Sequence, residues 1–296
     1  PATDAAGRIA TWLDRRRGAF ALALGEDLSG VPVGELSVKE SLIPENPFSL
    51  RADEARRLGG HDLANAGLWL GQYGEPRLIY TDGAFRKGPW LASNRRTVHM
   101  AVDIFAEAGK AVQAPLDGTV AMVENRTGHL DYGGVVILEH RTDDGDLFYA
   151  LYGHLDPAMC GTLHPGSRVA AGEAFARLGK PEENGGWEPH LHFQMALTLD
   201  GMGHDWPGVA DPDDWTLWRA ICPNPAALLN LPDGKVAYHA IDADALLTKR
   251  KARFGANLKL SYRRPVTFLR GWRHHLFDEM GRPYLDAYNN VPHVGH

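Results

Sequence analysis

Between residues 66 and 197 short β-prone runs follow one another with no helical period between them, and this limits the fold more than any other property of the chain. The runs are 68–70, 77–80, 111–113, 118–124, 134–140, 147–152, 168–169 and 191–197. Asp117-Gly118, Asp144-Gly145, Pro165-Gly166 and Gly185-Gly186 punctuate them as turn signals. A βαβ unit needs a crossover helix, and this stretch leaves no room for one. The reading is therefore a mainly β chain built on a compact antiparallel β-sheet or sandwich.

The flanks read differently. Ile9, Ala10, Trp12 and Leu13 give a short apolar helical face ahead of Arg15-Arg16-Arg17, a run expected on a solvated helix surface. Val31-Pro32-Val33 and Ile43-Pro44-Glu45-Asn46-Pro47 break periodicity and read as extended loop, followed by one or two helical turns over 52–58. Residues 200–219 read as a long loop with a short helix, whose Trp206, Trp215 and Trp218 suit a core or groove wall. Asn224-Pro225 opens a further short helix, an asparagine cap with proline at the first position. Residues 242–254 read as a basic helix capped by Asp242 or Asp244, then 266–270 and 275–278 as a hairpin turning at Gly271, with 284–288 as another strand. The resulting division is an N-terminal helical and loop segment (1–65), a β domain (66–235) and a C-terminal helix-plus-hairpin extension (236–296).

Net charge is −6 with both signs mixed along the chain, which is not the footprint of a nucleic-acid binder. The apolar runs are too short to span a bilayer, so neither nucleic acid nor membrane is an expected partner. Cys160 and Cys222 form no CxxC pair and read as free thiols of a reducing compartment. With no signal-peptide pattern, the expected location is cytoplasmic. The start at Pro1 and the end at His296, next to a run that reads as structured, suggest a fragment of a longer protein.

Chemistry enters with three short pieces: His99-Met-Ala-Val-Asp103, Tyr152-Gly-His154-Leu155 and Pro189-His190-Leu191-His192-Phe193. Zinc takes imidazole and carboxylate ligands, and a catalytic site keeps three of them plus an open position. His99 and Asp103 are close enough in sequence to reach one ion. Strand alternation sends His190 and His192 to a common face, with Pro189 placing the start of that strand at a sheet edge. His99, Asp103 and one of the His190/His192 pair suffice as ligands, which leaves the other and His154 for proton transfer. The implied reaction is attack of metal-acidified water on a carbonyl. One histidine takes the water proton and returns it to the amine, and another hydrogen-bonds the oxyanion. Singly the pieces are weak: a surface His–Asp pair, satisfied sheet histidines and a loop histidine would look the same. Their joint order carries the reading. His61, His129, His140, His164, His204 and His239 lack ligand partners at useful spacing, and Asp211-Pro-Asp-Asp214 lacks the glycine and glutamate of a calcium loop.

Residues 95–197 resemble the lysostaphin/LytM-type zinc metallopeptidase domain. The resemblance runs from His99…Asp103 through Ala114-Pro115-Leu116-Asp117-Gly118-Thr119-Val120, Gly133-Gly134-Val135 to His140, and Tyr152-Gly153-His154-Leu155. It continues through Gly166-Ser167-Arg168-Val169-Ala170-Ala171-Gly172 to His190-Leu191-His192-Phe193. It implies a narrow antiparallel groove, one zinc ion held by His99, Asp103 and His192, acid/base and transition-state roles for His154 and His190, and a peptide or amide substrate. Ala101 replaces a family glycine, which is tolerable unless φ is positive there. The stretch 180–189 is longer and more acidic than the usual glycine-serine loop, so cell-wall cross-bridge specificity does not carry over. A second, shorter resemblance covers Leu260-Ser-Tyr-Arg-Arg-Pro265, Arg270-Gly-Trp272 and residues 276–296, which are similar to the opening of a class-III, pyridoxal-phosphate-dependent aminotransferase. It implies a multidomain parent that binds pyridoxal phosphate only at full length and homodimerises through the missing aminotransferase domain. Two functions are therefore expected in turn: a zinc metallo-endopeptidase module, or a catalytically silent or substrate-gating module supporting the aminotransferase.

Overall fold

Val135-Val136-Ile137-Leu138 has no polar residue at alternate positions, the pattern of a strand buried on both faces. In the computed structural model, which describes residues 2–40, 44–51, 53–54, 67–91, 93–201, 206–255, 257–258, 260 and 265–287, this run lies inside the main sheet. The strands are β1 (Trp69–Gly71), β2 (Val98–His99), β3 (Val102–Phe105), β4 (Ala111–Gln113), β5 (Gly118–Arg126), β6 (Gly133–Arg141) and β7 (Leu147–Leu155). They continue as β8 (Arg168–Val169), β9 (Ala174–Arg177), β10 (His190–Ala196), β11 (Val209–Ala210), β12 (Phe268–Trp272), β13 (His275–Asp278) and β14 (Pro283–Leu285). Helices are few and short: α1 (Ala2–Arg16), α2 (Trp215–Ile221), α3 (Asp233–Val236) and α4 (Ala243–Arg253). The protein is mainly β, as its sequence pattern predicts. Among the described residues no helix is long and apolar enough to cross a membrane.

The seven-stranded sheet runs β1-β3-β10-β7-β6-β5-β8, with every neighbouring pair antiparallel. Alternation divides its side chains between two cores. Val136 and Leu138 join Val102, Ile104, Tyr152, Leu191 and Phe193 on one face, where Ile9 and Leu13 of α1 also pack. Val135 and Ile137 join Met122, Leu151, Trp206 and Cys222 on the other. Burying side chains of this size stabilises the sheet by roughly 1.5–3 kcal/mol each before conformational entropy is charged against it. Cys160 and Cys222 are both free, and the Cys222 sulfur accepts from Gln194 Nε2 at 3.4 Å.

Several local expectations are corrected. Residues 77–80 do not form a strand: Leu78–Thr81 is a 3₁₀ turn, closed by Tyr80 N–H donating to the Arg77 carbonyl (3.2 Å) and the Thr81 hydroxyl to that of Leu78 (2.7 Å). Strand β10 is central rather than at an edge, since Pro189 precedes its first residue and removes no ladder hydrogen bond. The segment opened by Asn224 is 3₁₀ over Pro225–Leu229, and the Asn224 side chain does accept from Ala226 N. Asp242 caps α4 by accepting from Ala245 N. The C-terminal hairpin turns at Arg273, with φ 53°, because β12 runs straight through Gly271 to Trp272. Of the helical turns expected over 52–58 only 53–54 are described, and both are helical; the rest of that stretch, the last residue of the strand expected over 284–288, and His61 and His204 lie outside the described residues.

His140 on β6 shows how tightly the sheet is packed. Its buried ring donates from Nδ1 to the Asp117 carbonyl at 2.9 Å and sits where a Cβ on Gly118 would come within 2.8 Å. Burial lowers its pKa to about 4, against the opposing effect of the Asp117 carbonyl. The folded chain thus keeps His140 neutral while the unfolded chain protonates it near 6.5. Its contribution is complete above that pH and is lost as pH falls toward 4. Urea titrations at pH 7 and pH 5 should show His140→Gln losing about 2 kcal/mol less stability over that interval than the parent chain. Equal losses would show that His140 titrates freely in the folded state.

Candidate metal centre

Strands β3 and β10 build the site by register. His192 lies opposite Asp103 and His190 opposite Phe105, so alternation places His190, His192 and Asp103 on one face while Leu191, Phe193, Val102 and Ile104 enter the core on the other. His99 arrives from β2, just ahead of β3. His154 is the last residue but one of β7 and has φ 63°, a left-handed conformation costly for a non-glycine residue. Hydrogen bonds on both sides hold it there: its N–H donates to the Tyr132 carbonyl (3.0 Å), and its carbonyl accepts from Gly179 N (2.9 Å). Ala101 has no positive φ, so an alanine there carries no backbone strain.

All five sequence-predicted residues meet, and all five are buried. Among the described residues, His99, Asp103 and His192 form a group whose donor atoms lie within 4.8 Å of one another. The separations are 3.1 Å from His99 Nε2 to His192 Nδ1, 3.1 Å from His99 Nε2 to Asp103 Oδ1 and 3.5 Å from His192 Nδ1 to Asp103 Oδ1. Atoms about 2.0–2.1 Å from a common centre at tetrahedral corners lie about 3.3–3.4 Å apart, so the triangle fits zinc. His190 Nε2 stands 3.7 Å from the same Asp103 oxygen. The His154 and His190 rings are 4.3 Å apart between centroids.

The outward nitrogens set the tautomers. His99 Nδ1 donates to the Gln72 carbonyl (3.1 Å), His154 Nδ1 to that of Asn184 (3.1 Å) and His190 Nδ1 to that of Glu188 (2.6 Å). His192 instead donates from Nε2 to Gln194 Oε1 (3.0 Å), whose own amide donates to the Pro207 carbonyl. His99 Nε2 and His192 Nδ1 are thereby left as bare lone pairs facing each other and a carboxylate oxygen. Asp103 Oδ1 accepts no hydrogen bond although it is buried. Three converging acceptors with no proton among them are the chemistry of a cation site.

Burial, helped by the charge of Arg77, lowers the His99 pKa to about 4 and so favours the neutral imidazole that a metal requires. Burial likewise holds His154 well below its ordinary value and lowers His190. Asp103 moves the other way from what burial alone would give, because the Arg77 guanidinium bonded to it keeps its carboxyl well below the usual range. Tyr80 stacks over His99 (6.2 Å between centroids) and meets Trp187 edge-on (6.1 Å). With His154 these two rings line two adjoining clefts. Arg77, Glu188 and His190 line the first, and Arg96, Tyr132 and His192 the second.

Sequence reasoning missed Gln72, Arg77, Tyr80 and Gln194. Gln194 was within reach, since it follows His192 by two positions on one strand and so shares its face. The others come to the site through a turn and a strand pairing that no local spacing announces.

Residues 97–202 match the sequence model of peptidase family M23. Among solved structures, the chain is similar to the catalytic domain of the prophage-encoded M23 protein EnpA from Enterococcus faecalis, at 20% identity over 48% of this chain and 86% of that one, with a TM-score of 0.29. It is similar to the catalytic domain of the antimicrobial peptidase lysostaphin from Staphylococcus simulans, at 24% identity over 40% and 79% of the two chains, with a TM-score of 0.28. A zinc-containing peptidase from Vibrio cholerae matches at 24% identity over 42% and 36%, with a TM-score of 0.27. The match to the M23 model takes in all five site residues.

Proposed function

We propose that this site hydrolyses an amide bond of a peptide substrate with the help of one zinc ion held by His99, Asp103 and His192. The observation that carries the reading is the unsatisfied, buried Asp103 Oδ1 set among imidazole nitrogens that have no proton to offer it. Zinc supplies Lewis acidity, the chemistry by which water becomes a competent nucleophile at neutral pH.

The remaining work falls to this chain's own groups. With their Nδ1 protons committed to the Asn184 and Glu188 carbonyls, His154 and His190 present Nε2 toward the site. Both are held neutral by burial, so either Nε2 can accept a proton from the attacking water. The imidazolium so formed can return that proton to the leaving amine or donate a hydrogen bond to the oxyanion. In this reading His154 is the base and His190 stabilises the transition state. The strained backbone at His154 supports its part, because such a conformation persists only where neighbours over-determine it.

The enclosure of the centre by Tyr80 and Trp187 supports a second reading, a site that binds metal and gates a substrate without cleaving it. The aminotransferase resemblance of the C-terminal residues rests on their sequence alone and adds nothing to the site.

Elemental analysis of the purified protein should find about one zinc per chain, and His99→Ala should abolish it. Removing the ion with a chelator should lower the thermal midpoint, since a ligand bound only by the folded chain stabilises it. His154→Ala should retain zinc and lose peptide hydrolysis by about 100-fold or more. Zinc without hydrolysis across a peptide panel would favour the gating reading, and absence of any metal would remove both.

A further inference from the structure

A buried arginine stands directly behind the carboxylate of the metal centre, and it comes from outside the M23-matched residues 97–202. Arg77 donates from Nη1 to Asp103 Oδ2 at 2.7 Å, and from Nε to Glu75 Oε2 at 2.7 Å. Glu75 is itself buried and accepts from Leu36 N through its other oxygen at 2.8 Å. Arg77 Nη1 also lies 3.2 Å from the Tyr80 hydroxyl, the ring that covers His99. The guanidinium fits because β1 pairs Gly71 with Asp103, and a Cβ on Gly71 would come within 2.8 Å of Arg77 Nη2.

This arrangement gives the two oxygens of Asp103 different surroundings. Oδ2 is taken by a charged, rigid donor, while Oδ1 is left facing His99, His190 and His192 without a hydrogen bond. A carboxylate with both oxygens free could rotate and offer either or both to a cation. One clamped from behind offers a single oxygen in one direction. Arginine suits the task better than lysine, because its planar fork can hold two carboxylates at once, here Glu75 and Asp103. The two acids also offset the buried guanidinium charge, which would otherwise be costly.

We propose that Arg77, anchored by Glu75, is a positioning residue of the metal centre: it clamps Asp103 so that one carboxylate oxygen alone faces the ion. The inference rests on the zinc reading above. It places part of the outer support of an M23 site in the turn that precedes the M23-matched residues.

The test uses the full chain, loaded with zinc for affinity and with cobalt(II) for spectroscopy. Chelator competition should show Arg77→Met binding zinc about 10- to 100-fold more weakly than the parent, with Arg77→Lys recovering part of the loss. In the cobalt form, Arg77→Met should lose the intense visible bands of a four-coordinate site as Asp103 becomes free to offer both oxygens. A merely structural arginine would lower the melting temperature while leaving affinity and spectrum of the folded protein unchanged. If Arg77→Met does not fold, Arg77→Lys carries the test, with a several-fold loss of affinity expected. Parental affinity together with a parental cobalt spectrum in the folded variant overturns the inference. A parent chain that takes up neither metal would instead overturn the zinc reading on which it stands.

Discussion

The antiparallel pairing of Val102–Phe105 with His190–Ala196 is the contact on which the remainder depends. It sets Asp103 against His192 and, by the two-residue repeat of a strand, puts Asp103, His190 and His192 on one face and Val102, Ile104, Leu191 and Phe193 on the other. A slip of β10 by one residue would exchange its faces, driving its imidazoles into the core and Leu191 and Phe193 into the groove. Core packing and metal site therefore enforce the same register. The buried apolar face makes the slipped alternative costly, and the polar face is placed by that same cost.

Around this pair the structure holds each imidazole from behind. Backbone carbonyls of Gln72, Asn184 and Glu188 and the Gln194 amide oxygen occupy the outward nitrogens, so the inward ones are lone pairs. These carbonyls belong to loops that are themselves locked. The loop carrying Asn184 lies so close to Gly133, with φ 63°, that a Cβ there would come within 2.1 Å of the Glu183 carbonyl. The acidic, lengthened stretch 180–189 thus acts in two ways: it supplies two of the four outward partners and, through Trp187, a wall of both clefts.

Much of the fold and site was legible in the sequence because both follow short-range rules. The unbroken apolar run at 135–138 announces a strand buried on both faces, and His190-Leu191-His192-Phe193 announces two histidines on one face and two apolar residues on the other. What stayed hidden depends on long-range pairing. Arg77 lies in a run whose residues suit a strand, but the chain turns into a 3₁₀ helix right after it, and its N–H donates to the distant Thr97 carbonyl while its guanidinium reaches Asp103. Gln72 contributes a carbonyl, which no side-chain pattern can advertise. The edge position expected for β10 failed because Pro189 stops one residue short of the ladder, a difference that a sequence motif does not resolve.

The place of β10 in the sheet also governs the order in which the molecule can be assembled. As the chain is made, β1, β3, β5, β6 and β7 all precede it, yet β3 and β7 have no common border until β10 lies between them. The strand that joins these two parts of the sheet is also the one that carries His190 and His192. Pairings between residues this distant in sequence close large loops and form slowly. A half-built sheet can therefore hold Asp103 and His154 but never the centre, and the chain gains its chemistry in the same step that completes its architecture.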